Sequence, residues 1–95
     1  MSTIYIAGKI SGLSNYRELF EEAELYLLTK GYKVMNPAVL GEGFTYETYM
    51  PICLAMLQAC DEIYMLENWS VSQGATIERN LAIQLGIKQI YQRSE

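Results

Sequence analysis

The sequence predicts an α/β fold, a small flavodoxin- or Rossmann-like three-layer sandwich on a four-stranded parallel sheet. Short β-branched or apolar segments alternate along the chain with segments of ten or more residues that have helical character. A helix of that length is the usual connection between parallel strands. The 95 residues are 51% hydrophobic, which is enough for one packed core and argues against disorder. Right-handed crossovers then favour the strand order 2-1-3-4, with helices on both faces of one domain over residues 1–95.

The first half of the chain supplies two strands and one helix. Thr3–Ala7 is short and β-branched, which predicts the first strand. Ser14 is placed to cap a helix that stops at Gly31. Tyr32–Met35 is the second predicted strand, and Asn36-Pro37 ends it because proline cannot donate to a sheet ladder.

The second half supplies two helices and two strands. The first of these helices is predicted over about Tyr49–Cys60, where Pro51 is tolerable only in the first turn. Asp61–Leu66 and Ile87–Tyr91 are the third and fourth strands. Between them, the segment 72–86 opens with a serine and closes on a glycine, which predicts a capped helix.

Glu78 is the most informative residue of that last helix. Helical spacing places it on one stripe with small and apolar residues, namely Gly74, Ala75, Leu81, Ala82 and Leu85. An unpaired buried carboxylate is costly, so it is rarely placed there without a partner or a task. The alternative is a glutamate at the edge of the stripe whose carboxylate reaches water. Spacing alone does not decide between the two.

Composition excludes several classes of function. The net charge of −4 and the lack of a Lys/Arg cluster argue against nucleic acid as a partner. No apolar run is long enough to span a membrane, so we expect a cytoplasmic protein with no membrane partner. The chain has no histidine and no Cys-x-x-Cys pair, so we expect neither a metal nor a cofactor. Cys53 and Cys60 lie on one face of a helix, where a disulfide cannot close, and are predicted to be free thiols.

The predicted topology places the ligand site beyond the carboxyl ends of the strands. Three loops meet there, at Gly8–Gly12, at Asn36-Pro37 and at 67–72, so Asn36 is a candidate ligand contact. The glycines of the first loop let backbone amides approach a ligand, although an ordinary strand-to-helix turn fits the pattern equally well. Ser72–Gly74 combines free amides, a hydroxyl and the positive end of a helix dipole, which suits an anion or a plain N-cap.

Aromatic residues flank the same edge. Tyr46, Tyr49 and Trp69 fall in or near its loops and are candidates to stack on a flat base. Tyr5 lies late in the first strand, from where its side chain can reach the carboxyl edge.

Four segments, in this order, resemble the DUF4406 family of the nucleoside 2-deoxyribosyltransferase-like superfamily, small proteins that are often phage- or prophage-encoded. They are Ile4–Gly12, Asn36–Ala38, Cys60–Leu66 and Ser72-Gln73-Gly74-Ala75-x-x-Glu78. The resemblance covers nearly the whole chain, and the Ser-x-Gly-x-x-x-Glu segment is its most specific motif.

The resemblance implies a site that acts on a nucleoside or nucleotide. Glu78 would be the nucleophile that attacks C1′ and expels the base, after which water or a second base resolves the covalent intermediate. Tyr5 would orient Glu78 or the sugar. Ser72 and the amides at Gly74 would hold a 5′-phosphate or 5′-hydroxyl. The sugar-phosphate would also contact the first loop, formed by Gly8, Lys9, Ile10, Ser11 and Gly12.

One stretch departs from the enzymes that the chain resembles. They carry a second carboxylate on the helix before the third strand, whereas Met50–Leu54 contains no acid and Glu47 is the nearest upstream candidate. Losing a proton donor costs about 10²–10⁴ in rate. Three alternatives therefore stay open. The chain is an N-glycosidase or deoxyribosyltransferase, or a non-catalytic protein that sequesters a nucleotide or an ADP-ribose-like ligand, or a structural subunit. Similar enzymes complete their sites across a subunit contact, so we expect a homodimer or a larger homo-oligomer.

Overall fold

The structure, a computed structural model, describes residues 2–93. Its four strands are β1 (Thr3–Ala7), β2 (Lys33–Met35), β3 (Glu62–Met65) and β4 (Lys88–Tyr91). Its helices are α1 (Tyr16–Thr29), α2 (Tyr46–Gln58) and α3 (Gln73–Leu85), with 3₁₀ helices at Pro37–Val39 and Glu67–Val71. All strand pairs are parallel and the order is β2-β1-β3-β4, which confirms the predicted fold class and strand order.

Two separate hydrophobic cores make the fold a three-layer sandwich. Successive residues of a strand point to opposite faces of the sheet. On one face, Tyr5 and Ile63 pack in a core with buried residues of α2 and α3. On the other face, Ile4 and Tyr64 pack against α1. The side chain of Tyr5 is therefore directed at the two helices that follow β2 and β3.

The N-terminus of α1 differs from the prediction. Ser14 does not cap the helix, because the N-cap residue is Asn15 and no side chain bonds the first turn. The chain instead enters the helix through a backbone turn, in which the amide of Tyr16 donates to the carbonyl of Leu13 at 3.4 Å.

Helix α2 begins three residues earlier than predicted. The amides of Thr48 and Tyr49 both donate to the carbonyl of Thr45, at 3.0 and 3.1 Å, so the first turn forms there. Pro51 consequently lies inside the helix, and the prediction that it occupies the first turn is wrong. Since Pro51 and Glu47 are both exposed, the carbonyl that loses its partner four residues upstream can bond water instead.

Helix α3 begins and ends as predicted. The Oγ atom of Ser72 accepts from the amide of Ala75 at 3.1 Å, and the helix ends at Gly86, whose φ is +74°. Glu78 is 5% exposed, which places it on the buried stripe and not at its edge. Leu85 departs from the stripe and is half exposed, because it is the last residue before the chain turns into β4. No helix in residues 2–93 is long and apolar enough to cross a membrane.

Candidate functional site

A cavity of about 350 Å³ lies where the loop after β1 meets the first turns of α2 and α3. That volume falls within the roughly 300–1,000 Å³ typical of small-molecule sites. Residues from β1, α1, α2 and α3 all line it, so the site is assembled from the whole length of the fold. Its position beyond the end of β1 is where the topology predicts a ligand.

Tyr5 and Glu78 form a buried pair in the wall of this cavity. The Tyr5 hydroxyl donates to Oε2 of Glu78 at 2.6 Å, and the tyrosine side chain is fully buried. No group within residues 2–93 hydrogen-bonds Oε1 of Glu78, yet the described part of the chain holds no buried polar atom without a partner. Oε1 is therefore accessible, and Glu78 lines the cavity. One carboxylate oxygen is oriented by the protein and the other is free to act.

Burial controls the ionisation of the pair. It raises the pKa of Glu78 to about 7, and the hydrogen bond from Tyr5 partly opposes that rise. Burial also raises the pKa of Tyr5 well above its ordinary value, with a further contribution from the charge of Glu78. Tyr5 thus keeps its proton as a hydrogen-bond donor, while Glu78 changes charge near neutral pH.

The N-terminus of α3 supplies hydrogen-bond donors to the cavity. The amides of Gln73 and Gly74 find no acceptor among the described residues, and both residues line the cavity together with Ser72. Gly74 also permits close packing, since a Cβ there would lie 3.3 Å from Sδ of Met50. This is the arrangement in which a helix end binds an anion.

Four of the five predicted contacts in the loop after β1 line the cavity, and the fifth does not. Lys9, Ile10 and Ser11 line the cavity. No carboxylate of residues 2–93 forms a salt bridge with the Lys9 ammonium. Gly12 forms a turn with positive φ and lies outside the lining.

Gly8 lines the cavity, but packing accounts for its identity. A Cβ at this position would lie 2.6 Å from Cδ1 of Leu66, so only glycine lets the loop leave the sheet here. Asn68, which sequence reasoning missed, accepts from the Lys9 amide at 2.9 Å and fixes the loop. Only its position after β3, at the functional edge, could have indicated it.

The structure does not bring Asn36 or Trp69 to the cavity. Asn36 caps the first 3₁₀ helix, because its side chain accepts from Ala38 and donates to Glu24 at 2.8 Å each. Trp69 packs against Tyr91, and the Arg79 guanidinium lies 4.9 Å from the centre of its ring. Both side chains are already occupied within the protein.

The aromatic wall of the cavity combines predicted and unpredicted residues. Tyr46 and Tyr49 line it as candidates for stacking, and Tyr16 and Phe44 join them. Phe44 packs edge-to-face on Tyr49 with ring centres 5.9 Å apart. Its place directly after Gly41-Glu42-Gly43 marks Phe44 as a loop residue, but the sequence does not show where that loop folds back.

The lining contains a single carboxylate among the described residues. Glu78 provides it, whereas Glu47 is exposed and lies outside the cavity. Residues 2–93 also hold no group of three His, Cys, Asp or Glu side chains arranged to bind a metal ion.

Comparison with solved structures places this fold beside that of the 2-deoxyribosyltransferases. The enzyme from the psychrotolerant bacterium Bacillus psychrosaccharolyticus superposes with a TM-score of 0.72 at 18% identity, over 95% of this chain and 71% of that one. The 2-deoxyribosyltransferase of Leishmania mexicana gives 0.74 at 20% identity, over 96% of this chain and 63% of that one. At these identities the likeness concerns the fold.

The family follows from the sequence itself. A family model described as a domain of unknown function, DUF4406, matches residues 2–91, and the chain belongs to that family. No curated protein matches it.

Proposed function

We propose that the chain binds a nucleoside or nucleotide in this cavity and cleaves or transfers it at C1′, with Glu78 as the nucleophile. The observation that carries the proposal is the Tyr5–Glu78 pair, in which Tyr5 holds one carboxylate oxygen and leaves the other open to the cavity. Covalent glycosyl transfer by a carboxylate needs a nucleophile oriented in this way.

The reaction has two steps. Oε1 of Glu78 forms a bond to C1′, while the bond from C1′ to the base breaks and its electron pair leaves with the base, which is then protonated. In the second step, water attacks C1′, the ester bond to Glu78 breaks, and the water gives up a proton. If a second base replaces the water, the product is a new nucleoside. Tyr5 retains its proton throughout and keeps Glu78 oriented.

Charge at the cavity supports a 5′-phosphate on the ligand. The ammonium of Lys9 and the unpaired amides of Gln73 and Gly74 are donors suited to an anion. Tyr46 and Tyr49 supply aromatic faces for the base. Fold similarity to 2-deoxyribosyltransferases supports the same class of ligand.

The test is a panel of ribo- and deoxyribonucleosides and their 5′-monophosphates, with free base followed by chromatography and mass detection. A second base is added in parallel to detect transfer. Glu78→Gln serves as the blank, and Glu62→Gln, which removes a glutamate hydrogen-bonded to Tyr32 elsewhere, is the matched control. We expect release that Glu78→Gln abolishes and Glu62→Gln retains. Release that survives in Glu78→Gln would refute the nucleophile.

A second candidate function is binding without turnover. The single carboxylate in the described lining favours it, because retaining glycosidases generally use two. The protein would then sequester a nucleotide or an ADP-ribose-like ligand. In that case a ligand would raise the melting temperature and be recovered intact, and Lys9→Met would weaken binding. If no nucleotide or ADP-ribose changed the melting temperature, both functions would fail and a structural role would remain.

We also propose that the chain forms a homodimer or a larger homo-oligomer. Apolar side chains on the outer faces of two helices support this, since Leu25 and Leu28 of α1 and Ile83 and Leu85 of α3 are each about half exposed. Size-exclusion chromatography with light scattering tests it, and a monomeric mass at micromolar concentration would refute it.

A further inference from the structure

Cys53, on α2, lies in the wall of the cavity, and a second thiol just beyond the end of that helix does not. Both cysteines are buried and unpaired, at 5% and 6% exposure. Cys53 belongs to the lining, whereas Cys60, two residues beyond the end of α2, is absent from it. The Cys60 thiol is instead directed back towards the last turn of α2, where Sγ donates to the carbonyl of Met56 at 3.3 Å. The chain thus carries a cavity thiol and a matched thiol outside it.

The cavity thiol lies beside the buried pair. Cys53 and Tyr5 share one hydrophobic core, and both line the cavity with Glu78. Independently of the cysteine, the unpartnered Oε1 of a carboxylate that is 95% buried faces this space and indicates a ligand there. Because Cys53 lines the cavity, we expect a group attached to its Sγ to enter the same space.

We propose that Cys53 is a modification site within the cavity, and that capping its thiol with a small electrophile closes the cavity in front of Glu78. With a methanethiosulfonate ester, the thiolate attacks the sulfenyl sulfur, a mixed disulfide forms, and methanesulfinate leaves with the bonding pair. The thiol proton passes to solvent, and no other oxidant is needed. The position of Cys53 does not depend on which ligand the cavity binds. The loss of ligand binding rests on the proposed function.

Ionisation favours Cys53 over Cys60. Burial raises the pKa of both thiols, to about 11 for Cys60, and the neighbouring charge of Asp61 adds to the rise there. At Cys53 burial is again the largest cause of the rise in pKa; the polar Tyr5 hydroxyl opposes it, and the charge of Glu78 adds to it. Because the thiolate is the reactive form, and because Cys53 lines the cavity whereas Cys60 does not, we expect the cavity thiol to react first.

The first experiment measures which thiol reacts. Methyl methanethiosulfonate is applied to the native protein and to the single-thiol variants Cys53→Ser and Cys60→Ser, and adducts are counted by intact mass under native conditions. We expect one adduct to form first in the native protein and in Cys60→Ser, with reaction in Cys53→Ser slower by roughly tenfold or more. Equal rates for the two thiols, or a faster Cys60, would overturn the proposal. Circular dichroism confirms that both variants are folded.

The second experiment asks whether the cap closes the cavity. The NMR resonance of the Glu78 side-chain carboxyl group is followed against pH in Cys60→Ser, before and after the Cys53 thiol is capped. We expect the cap to displace water from Oε1 and to shift the titration to higher pH. An unchanged titration would overturn the proposal.

Nucleotide binding separates this proposal from the proposed function. Where deoxyribonucleoside 5′-monophosphates raise the melting temperature of uncapped Cys60→Ser, the capped protein should lose that rise. Retention of the rise would overturn occlusion. If no monophosphate acts on the uncapped protein, the proposed function fails, while the adduct rates and the Glu78 titration still decide the role of Cys53.

Discussion

Two Tyr–Glu pairs occupy opposite edges of the sheet in this protein. The Tyr5–Glu78 pair lies at the carboxyl edge with a hydrogen bond of 2.6 Å, and Tyr32–Glu62 lies at the amino edge with one of 2.9 Å. The first pair is buried, whereas both members of the second are only half-buried. Burial is the main cause that raises the pKa of Tyr5, but the hydrogen bond to Glu62 is the main cause for Tyr32.

The comparison shows that environment, not residue type, distinguishes a candidate site from a structural contact. Tyr32 precedes β2 and Glu62 begins β3, so their bond links two strands that flank β1. Tyr5–Glu78 instead faces a cavity, and its carboxylate keeps an accessible oxygen. Parallel substitutions at the two pairs therefore distinguish an effect on the proposed reaction from an effect on structural packing.

The largest expected difference concerns turnover. Glu78→Gln should lower base release by roughly 10³-fold or more, because an amide cannot form the glycosyl intermediate. Glu62→Gln should retain nearly the native rate, measured on the same substrate by initial velocity. Comparable losses of rate in the two variants would show that the two pairs do not differ in function.

The next difference concerns stability against pH. The folded-state pKa of Glu78, about 7, lies above the ordinary 4.5, so the folded protein binds the extra proton between these values. This contribution to stability is complete below about pH 4.5 and is lost as pH rises through 7, on the order of 3 kcal/mol. The free energy of unfolding of Glu78→Gln, relative to that of the native protein, should therefore increase between pH 5 and pH 8. Urea unfolding at both pH values measures the gain, and Glu62→Gln, the control for net charge, should leave the native decline in place.

Removing the tyrosine hydroxyls should have a smaller effect. Tyr5→Phe loses a hydrogen bond to a charged group, worth about 1.5–3 kcal/mol, so turnover should fall by roughly 10- to 100-fold. Because that bond lowers the pKa of Glu78, the rise of activity with pH should move to higher pH. Tyr32→Phe should change neither. If the pH–activity profile of Tyr5→Phe kept the native midpoint, Tyr5 would have no influence on the pKa of Glu78.

The smallest effect is expected at the edge of the cavity. Lys9→Met should weaken binding of a 5′-monophosphate by roughly tenfold and leave a nucleoside unaffected, because a partly exposed charge contributes about 1 kcal/mol. Lys33→Met removes an exposed lysine at the start of β2, beside the Tyr32 pair, and should alter neither affinity. Calorimetric titration of both ligands distinguishes charge recognition from a general electrostatic effect.

The sequence predicted the elements whose signals are local. Ser72 and Gly86 cap α3 as expected, and the alternation of strands and helices was sufficient for the sheet order. The sequence could not decide whether Glu78 was buried, because a stripe of residues on one helix does not show which elements pack against that helix. The start of α2 was misplaced because backbone bonds to Thr45, with no capping side chain, determine it.

The candidate site could be predicted for residues that the topology alone positions. The prediction was incomplete for residues whose side-chain direction depends on tertiary packing. Lys9 and Ser72 lie at the cavity because each stands beside the end of an element, and Tyr5 lies there because its position in β1 directs it to the face covered by α2 and α3. Asn36 and Trp69 lie near the same edge, but hydrogen bonds and ring contacts direct their side chains elsewhere. Such contacts join distant parts of the sequence and leave no local pattern.

The separation of Tyr5 from Glu78 along the chain has a consequence for folding. Their bond spans 73 positions, from the first strand to the last helix, so neither half of the chain can form the site alone. Closing so long a loop is slow relative to local contacts, so we expect the pair to form late in folding. Because the pair joins β1 to α3, the cavity can bind a ligand only while both elements are folded. A bound ligand would slow amide exchange in β1 and α3 together, since local opening of either element releases it.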